Sequence, residues 1–217
     1  MVAAFYATAK GRLVHNDDRI RADRNAGLFV VADASGPRYG GYHVPVAADA
    51  ALDAYARALA AARGTLEDRL RDAVLAANAV LMAVGPEVNR RGVLAHQAMA
   101  LAGVAFATNA AAIIQVGTLR GYRLRGERLD VIAHDQCLPE PHGLVAPLLG
   151  FGPIEPVVAM MSLTPGDRIL LGTDGLWRCG DEIVRAVAAA TQHDLAALVT
   201  AAAEQSGDDA SALVVEV

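Results

Sequence analysis

Four groups of aspartates stand where this sequence could do chemistry. Asp174 follows the apolar run Ile169-Leu170-Leu171-Gly172 and precedes Gly175 and the only tryptophan, Trp177. Asp33 ends a second apolar run that begins at Leu28, and is followed by Ala34, Ser35 and Gly36. Asp208 and Asp209 lie just before a final apolar run over residues 211–217, and the group Asn16-Asp17-Asp18-Arg19 follows the first strand candidate. A carboxylate at the end of a buried strand is costly to desolvate unless a metal ion or a cluster of donors compensates it. Acids at strand ends, far apart in sequence, are what a hard cation between two sheets needs, because such ions take carboxylate and water oxygens.

The elements that must position these acids follow from periodicity. Strands are predicted over residues 3–9, 28–33, 156–161, 167–174 and 211–217, and a meander of short strands over 97–107, 111–117, 119–125 and 128–133, with turns at Thr108-Asn109, Gly117 and Gly126-Glu127. Helical spacing runs over 46–63 and again from Leu66 to beyond Leu81, with Thr65 as cap and Asp68 three residues on; the two helices should pair antiparallel. Further helices are expected over 181–190 and 194–205, the latter capped by Thr191. Residues 139–156, rich in proline and glycine, read as a loop. Strand-rich stretches separated by helix pairs favour an α+β layered sandwich over a doubly wound fold.

At 217 residues the chain is expected to make a single domain spanning 1–217. Its net charge of −5, with no basic stripe interleaved with aromatics, argues against nucleic acid as a partner. No apolar stretch is long enough to span a membrane and residues 1–9 lack the pattern of a signal peptide, so the expectation is a cytoplasmic monomer without membrane association. Cys137 and Cys179 have neither zinc nor redox spacing and read as free thiols.

In this order along the chain, the motifs resemble the metal-dependent protein phosphatases of the PP2C (PPM) type, in a compact bacterial form. Asn16-Asp17-Asp18-Arg19 is similar to the family's Asn-Glu-Asp element, and Val31-Ala32-Asp33-Ala34-Ser35-Gly36 to its Val-Ala-Asp-Gly-Met-Gly-Gly. Gly117-Thr118-Leu119-Arg120 resembles Gly-Asp-Ser-Arg; the series closes with Leu148-Leu149-Gly150, with Pro165-Gly166-Asp167 running on to Asp174-Gly175-Leu176-Trp177, and with Asp208-Asp209-Ala210-Ser211. The resemblance implies an α+β fold, a central antiparallel β-sandwich flanked by pairs of antiparallel helices. It also implies a serine/threonine protein phosphatase that hydrolyses phosphoserine and phosphothreonine in signalling proteins, opposing a Ser/Thr kinase, by attack of a water bridging two Mn²⁺ or Mg²⁺ ions. By resemblance Asp33 bridges the metals, Asp174 and Asp208 hold one, and Asp17 holds the other beside the carbonyl of Ala34. Asp33, Asp174 and Asp18 would be catalytic, Asp18 by orienting water.

The chain departs from the family at five places, one of them the family's Gly-Thr-Thr element, which here reads Ala98-Met99-Ala100-Leu101. Leu13 stands where an arginine grips substrate phosphate, leaving Arg12 one residue away as a candidate. Arg38 stands where bacterial members often carry histidine and is the second candidate for binding phosphate; ordinary surface charge is the other reading of both arginines. Thr118 replaces the acid associated with a third ion, so two ions are expected and not three. Ala34 replaces a glycine. The substitutions at Leu13, Arg38 and Thr118 motivate an alternative, a catalytically impaired binding or regulatory module on the same fold.

Overall fold

The computed structural model describes residues 2–12, 15–36, 44–84, 87–88, 94–137 and 147–217. Two five-stranded antiparallel sheets stack face to face. The first has the order β1 (Ala3–Ala9), β12 (Ala210–Glu216), β11 (Arg168–Gly172), β8 (Arg120–Arg125), β9 (Arg128–Ala133). The second runs β10 (Val157–Ser162), β7 (Ala110–Val116), β6 (Ala98–Ala107), β3 (Leu28–Ser35), β2 (Asp18–Asp23). A short pair, β4 (Glu87–Val88) and β5 (Leu94–Ala95), stands apart from both.

The predicted helix pairs form and cover the outer faces. α1 (Val44–Ala61) and α2 (Leu66–Val84) lie on the second sheet, and α2 begins at the expected cap: Thr65 Oγ1 accepts from Asp68 N–H at 3.1 Å and donates to Asp68 Oδ2 at 2.7 Å. Leu70, Ala73, Val74, Ala77 and Leu81 recur at three and four residues along α2 and are buried, together with Ala51, Leu52, Tyr55 and Leu59 of α1. On the first sheet lie α3 (Asp174–Trp177), α4 (Asp181–Ala189) and α5 (Gln192–Ser206), the last capped by Thr191, whose hydroxyl accepts from Asp194 N–H.

Strand alternation sorts the side chains into three cores. Leu28, Val30, Ala32 and Ala34 of β3 pack toward α1 and α2, whereas Phe29 and Val31 pack between the sheets. On the first sheet, Leu170 and Val214 face α4 and α5, while Ile169, Leu171, Leu213 and Val215 meet the opposite sheet. The α+β sandwich expected from the sequence is the fold observed.

Several elements differ from the pattern-based expectation. The strands expected to form one meander over residues 97–133 are divided between the layers, β6 pairing with β7 in the second sheet and β8 with β9 in the first, because the chain crosses the sandwich at residues 117–119. The segment after Asp17 forms a strand, β2, although its charged residues Asp18, Arg19, Arg21 and Asp23 mask the alternation of Ile20 and Ala22, which pack between the sheets. The strand expected over 167–174 ends at Gly172, and Asp174 instead opens the short helix α3.

Candidate active site

The alternation that separates the three cores also places the acids. Asp33 is in phase with Phe29 and Val31, and Asp18 is in phase with Ile20; the two aspartates are direct cross-strand partners on β2 and β3. Both therefore continue the inter-sheet core to one end, where apolar side chains give way to carboxylates. The neighbour of Asp33 on its other side is Ala100 of β6, which is buried in the inter-sheet core. From the facing sheet, Thr173 follows Ile169 and Leu171 in phase, and Ser211 precedes Leu213 and Val215.

Thr173 ties the two sheets together at this point. Its Oγ1 donates to Asp18 Oδ2 at 3.0 Å and accepts from Ser211 N–H at 2.9 Å. It stands at the N-cap of α3 without making a side-chain cap, because its hydroxyl is committed to Asp18. Asp18 Oδ1 is buried and accepts no hydrogen bond among the described residues, the Ser211 hydroxyl beside the carboxylate donating instead to Thr8 Oγ1 at 2.7 Å.

The paired acids Asp208 and Asp209 divide their tasks. Asp209 is buried, and its two oxygens accept from Gly11 N–H at 2.8 Å and Asp17 N–H at 2.9 Å. It fastens the segment after β1 against the turn before β12, so that Asp17 is delivered beside the site. Asp208 is left half-exposed, and Arg178 spans it and Asp174: Nη2 lies 2.9 Å from Asp174 Oδ2 and Nη1 lies 3.9 Å from Asp208 Oδ2. A Cβ added at Gly175 would run into the Asp209 carbonyl oxygen, so the start of α3 and this turn can meet only because residue 175 has no side chain.

The electrostatics follow from crowding carboxylates at a low-dielectric end. Burial pushes the Asp18 carboxyl up to about 7; the hydroxyls of Ser211 and Thr173 pull it back, and Asp209 and Asp174 add to the rise. Burial again, followed by the charges of Asp18, Asp174, Asp208 and Asp209, raises Asp33 well above the ordinary carboxylate range. Asp174 is raised by burial, with Arg178 opposing and Asp208 reinforcing. Such mutual repulsion is relieved by a cation.

Among the described residues no three His, Cys, Asp or Glu side chains are grouped closely enough to hold an ion by themselves. Hard ions such as Mg²⁺ complete their shell with several waters, so they do not need a closed cage of protein carboxylates. The donor set is purely carboxylate, and Asp18 Oδ1 is a buried acceptor in want of a donor. The residues present fit divalent ions of this kind.

The remaining candidates are distributed around this centre. Ala34 has its methyl in the helix-side core, so its contribution could come only from the backbone carbonyl. Arg12 is exposed; its N–H donates to Gly207 O at 3.0 Å and its side chain lies over Gly207, the left-handed C-cap of α5 next to Asp208. Arg38 and Leu13 lie outside the described residues. Thr118 is buried and its carbonyl accepts from Trp177 Nε1 at 2.9 Å. Arg120 stacks on the Trp177 ring at 3.7 Å and pairs with Asp135 at 2.6 Å, so this arginine braces α3. Sequence reasoning missed Thr173, Ser211 and Arg178, and gave Asp209 no role apart from its neighbour Asp208. The phase of β11 was a usable signal for Thr173; no local signal distinguishes Asp208 from Asp209.

A family model described as Stage II sporulation protein E (SpoIIE) matches residues 24–217. Among solved structures, the serine/threonine phosphatase PstP/Ppp of Mycobacterium tuberculosis is similar with a TM-score of 0.81 at 23% identity, covering 100% of this chain and 98% of that one. PppA, a regulatory component of the T6SS in Pseudomonas aeruginosa, gives 0.78 at 26% identity, with 99% and 97% covered. The catalytic domain of PstP in complex with two manganese ions gives 0.77 at 25% identity, with 100% and 99% covered. No curated protein matches the chain.

Proposed function

The chain belongs to the SpoIIE family and has the fold of bacterial PPM-type serine/threonine phosphatases, and from that premise we propose that it hydrolyses phosphoserine and phosphothreonine in proteins with the help of two Mn²⁺ or Mg²⁺ ions. The observation that carries this reading is the convergence of Asp18, Asp33, Asp174 and Asp208, from four separate segments, at one end of the inter-sheet core. Asp33 would be shared between the ions, Asp174 and Asp208 would hold one, and Asp17 with the Ala34 carbonyl would hold the other. The two manganese ions in the PstP structure support that number.

When bound, such ions supply Lewis-acid stabilisation of phosphoryl charge and lower the pKa of water. The chain's own residues do the positioning. Thr173 holds Asp18 by one oxygen and leaves the other to orient water for attack on phosphorus. Asp209 holds Asp17 in place through its backbone N–H. Arg12, exposed at the rim over Gly207, is available to bind the substrate's phosphate, and Arg38 is a second candidate on sequence grounds alone.

The acids assigned to the two ions are retained, Thr118 replacing only the acid associated with a third, which favours turnover over the impaired-module alternative. Phosphoprotein substrates, an opposing kinase, a cytoplasmic site of action, a monomer and a single domain over 1–217 complete the proposal. No helix among the described residues is long and apolar enough to cross a membrane.

The test is hydrolysis of p-nitrophenyl phosphate and a phosphothreonine peptide with Mn²⁺, with Mg²⁺ and with chelator, alongside Asp33→Asn. Turnover that requires the ion and falls at least about 100-fold in the variant is expected, on the scale of losing one group that stabilises transition-state charge. Undiminished turnover in Asp33→Asn would remove Asp33 from the mechanism, and no turnover by well-folded wild type would favour the binding module.

A further inference from the structure

Arg178 stands between the two acids assigned above to one ion. It follows α3 directly, and its backbone N–H donates to Asp174 O at 3.0 Å, which fixes its Cα one turn from Asp174. Its guanidinium reaches Asp174 Oδ2 at 2.9 Å and Asp208 Oδ2 at 3.9 Å, one nitrogen toward each carboxylate. The side chain is 35% exposed, so it can leave without opening the core. The neighbouring cation, Arg120, cannot replace it, being held by Asp135 at 2.6 Å and by the Trp177 ring.

We propose that Arg178 is an internal counter-cation that occupies the place of a divalent ion on Asp174 and Asp208, so that loading this ion is an exchange in which the guanidinium leaves as the metal enters. The inference rests on the metal reading of the acid cluster and adds to it a residue that sets the ion's affinity. An oxygen lone pair engaged by a guanidinium is not free for a metal, and a positive charge left within a few ångströms repels the incoming ion. In the metal-free protein the same guanidinium offsets two crowded carboxylates. Arg178 is thus a positioning residue that trades apo-state stability against ion affinity.

The test is calorimetric titration of Mn²⁺ into metal-free wild type, Arg178→Gln, Arg178→Met and Arg178→Lys, with thermal melting of each in chelator and in saturating Mn²⁺. The methionine variant keeps the apolar stem, and supplies the reading should the glutamine variant fail to fold. The neutral variants are expected to bind Mn²⁺ about three- to fivefold tighter, as for removal of a half-exposed charge pair beside the ion. Arg178→Lys should stay within about twofold of wild type, because the charge remains. The neutral variants should melt lower in chelator and show a larger rise with Mn²⁺. Equal or weaker Mn²⁺ affinity in folded neutral variants would overturn the exchange while leaving the metal site intact. Absence of Mn²⁺ binding in every protein would overturn the metal reading and the exchange with it.

Discussion

Thr173 is the residue on which the geometry of the acids turns. One hydroxyl bonds a carboxylate of the second sheet and a backbone amide of the first, and both partners are buried. Thr173→Val keeps the shape and removes the hydroxyl, leaving Asp18 Oδ2 and Ser211 N–H without their bonds. Stranding buried polar groups costs about 1–3 kcal/mol each. Urea unfolding in chelator is expected to show a loss of about 2–3 kcal/mol on this basis, with hydrolysis falling because Asp18 is no longer held. Thr173→Ser, which restores the hydroxyl, should recover most of both. A valine variant as stable as wild type would mean that Asp18 finds another donor.

At the scale of elements, the strands deliver the site and the turns hold the strands. The turn between β10 and β11 is locked by Asp167, whose fully buried side chain accepts from Arg125 Nε and Nη2, both at 2.7 Å, and from Thr164 N–H at 2.9 Å. These donors, the Arg125 guanidinium first, hold the Asp167 carboxyl below its ordinary value. A carboxyl that is harder to protonate when folded stabilises the fold fully above its unfolded pKa near 3.8, and that contribution is lost as pH falls through the lower folded value. Asp167→Asn is therefore expected to cost about 2 kcal/mol at neutral pH, less than for a fully buried pair because Arg125 is 40% exposed. The penalty should shrink below about pH 4, where wild type loses the same interaction. Urea denaturation across pH 2.5–7 measures it; a pH-independent difference would assign the loss to packing.

At the scale of the molecule, carboxylates from both sheets are packed against one another at the end of a dry seam. The metal-free protein carries that repulsion as a standing cost. On the proposed function, a divalent ion that draws acids of the two sheets together would act as a clamp across the sandwich and bind the folded state alone. Saturating Mn²⁺ at about 100 times its Kd is expected to add about 2.7 kcal/mol. For a chain of this size that is a rise in Tm of about 5–10 °C. Chelator should reverse it, and Asp33→Asn should abolish it. An unchanged Tm with Mn²⁺ would show that the acids do not hold the ion.

The sequence by itself determined the layers and the inventory. Apolar period and turn chemistry were enough for the α1–α2 pair and for the β6–β7 and β8–β9 hairpins, because those signals are local; that the two hairpins belong to different sheets, and that β3 runs past Asp33 to Ser35, was not legible there. Five of the six aspartates were read as candidate site residues from their position near strand ends and their resemblance to a motif series. The tertiary structure alone decided which acid does what. Asp208 and Asp209 are neighbours of the same chemistry, and only the approach of Gly11 and Asp17 from the far end of the chain makes Asp209 a strut and leaves Asp208 in the site. β2 was hidden because its charges obscure the alternation, and it exists because β3 offers it an antiparallel partner. Thr173 and Arg178 became visible for the same reason: each acts on a group more than 25 residues away in sequence, and only packing brings those groups within a hydrogen bond or an ion pair.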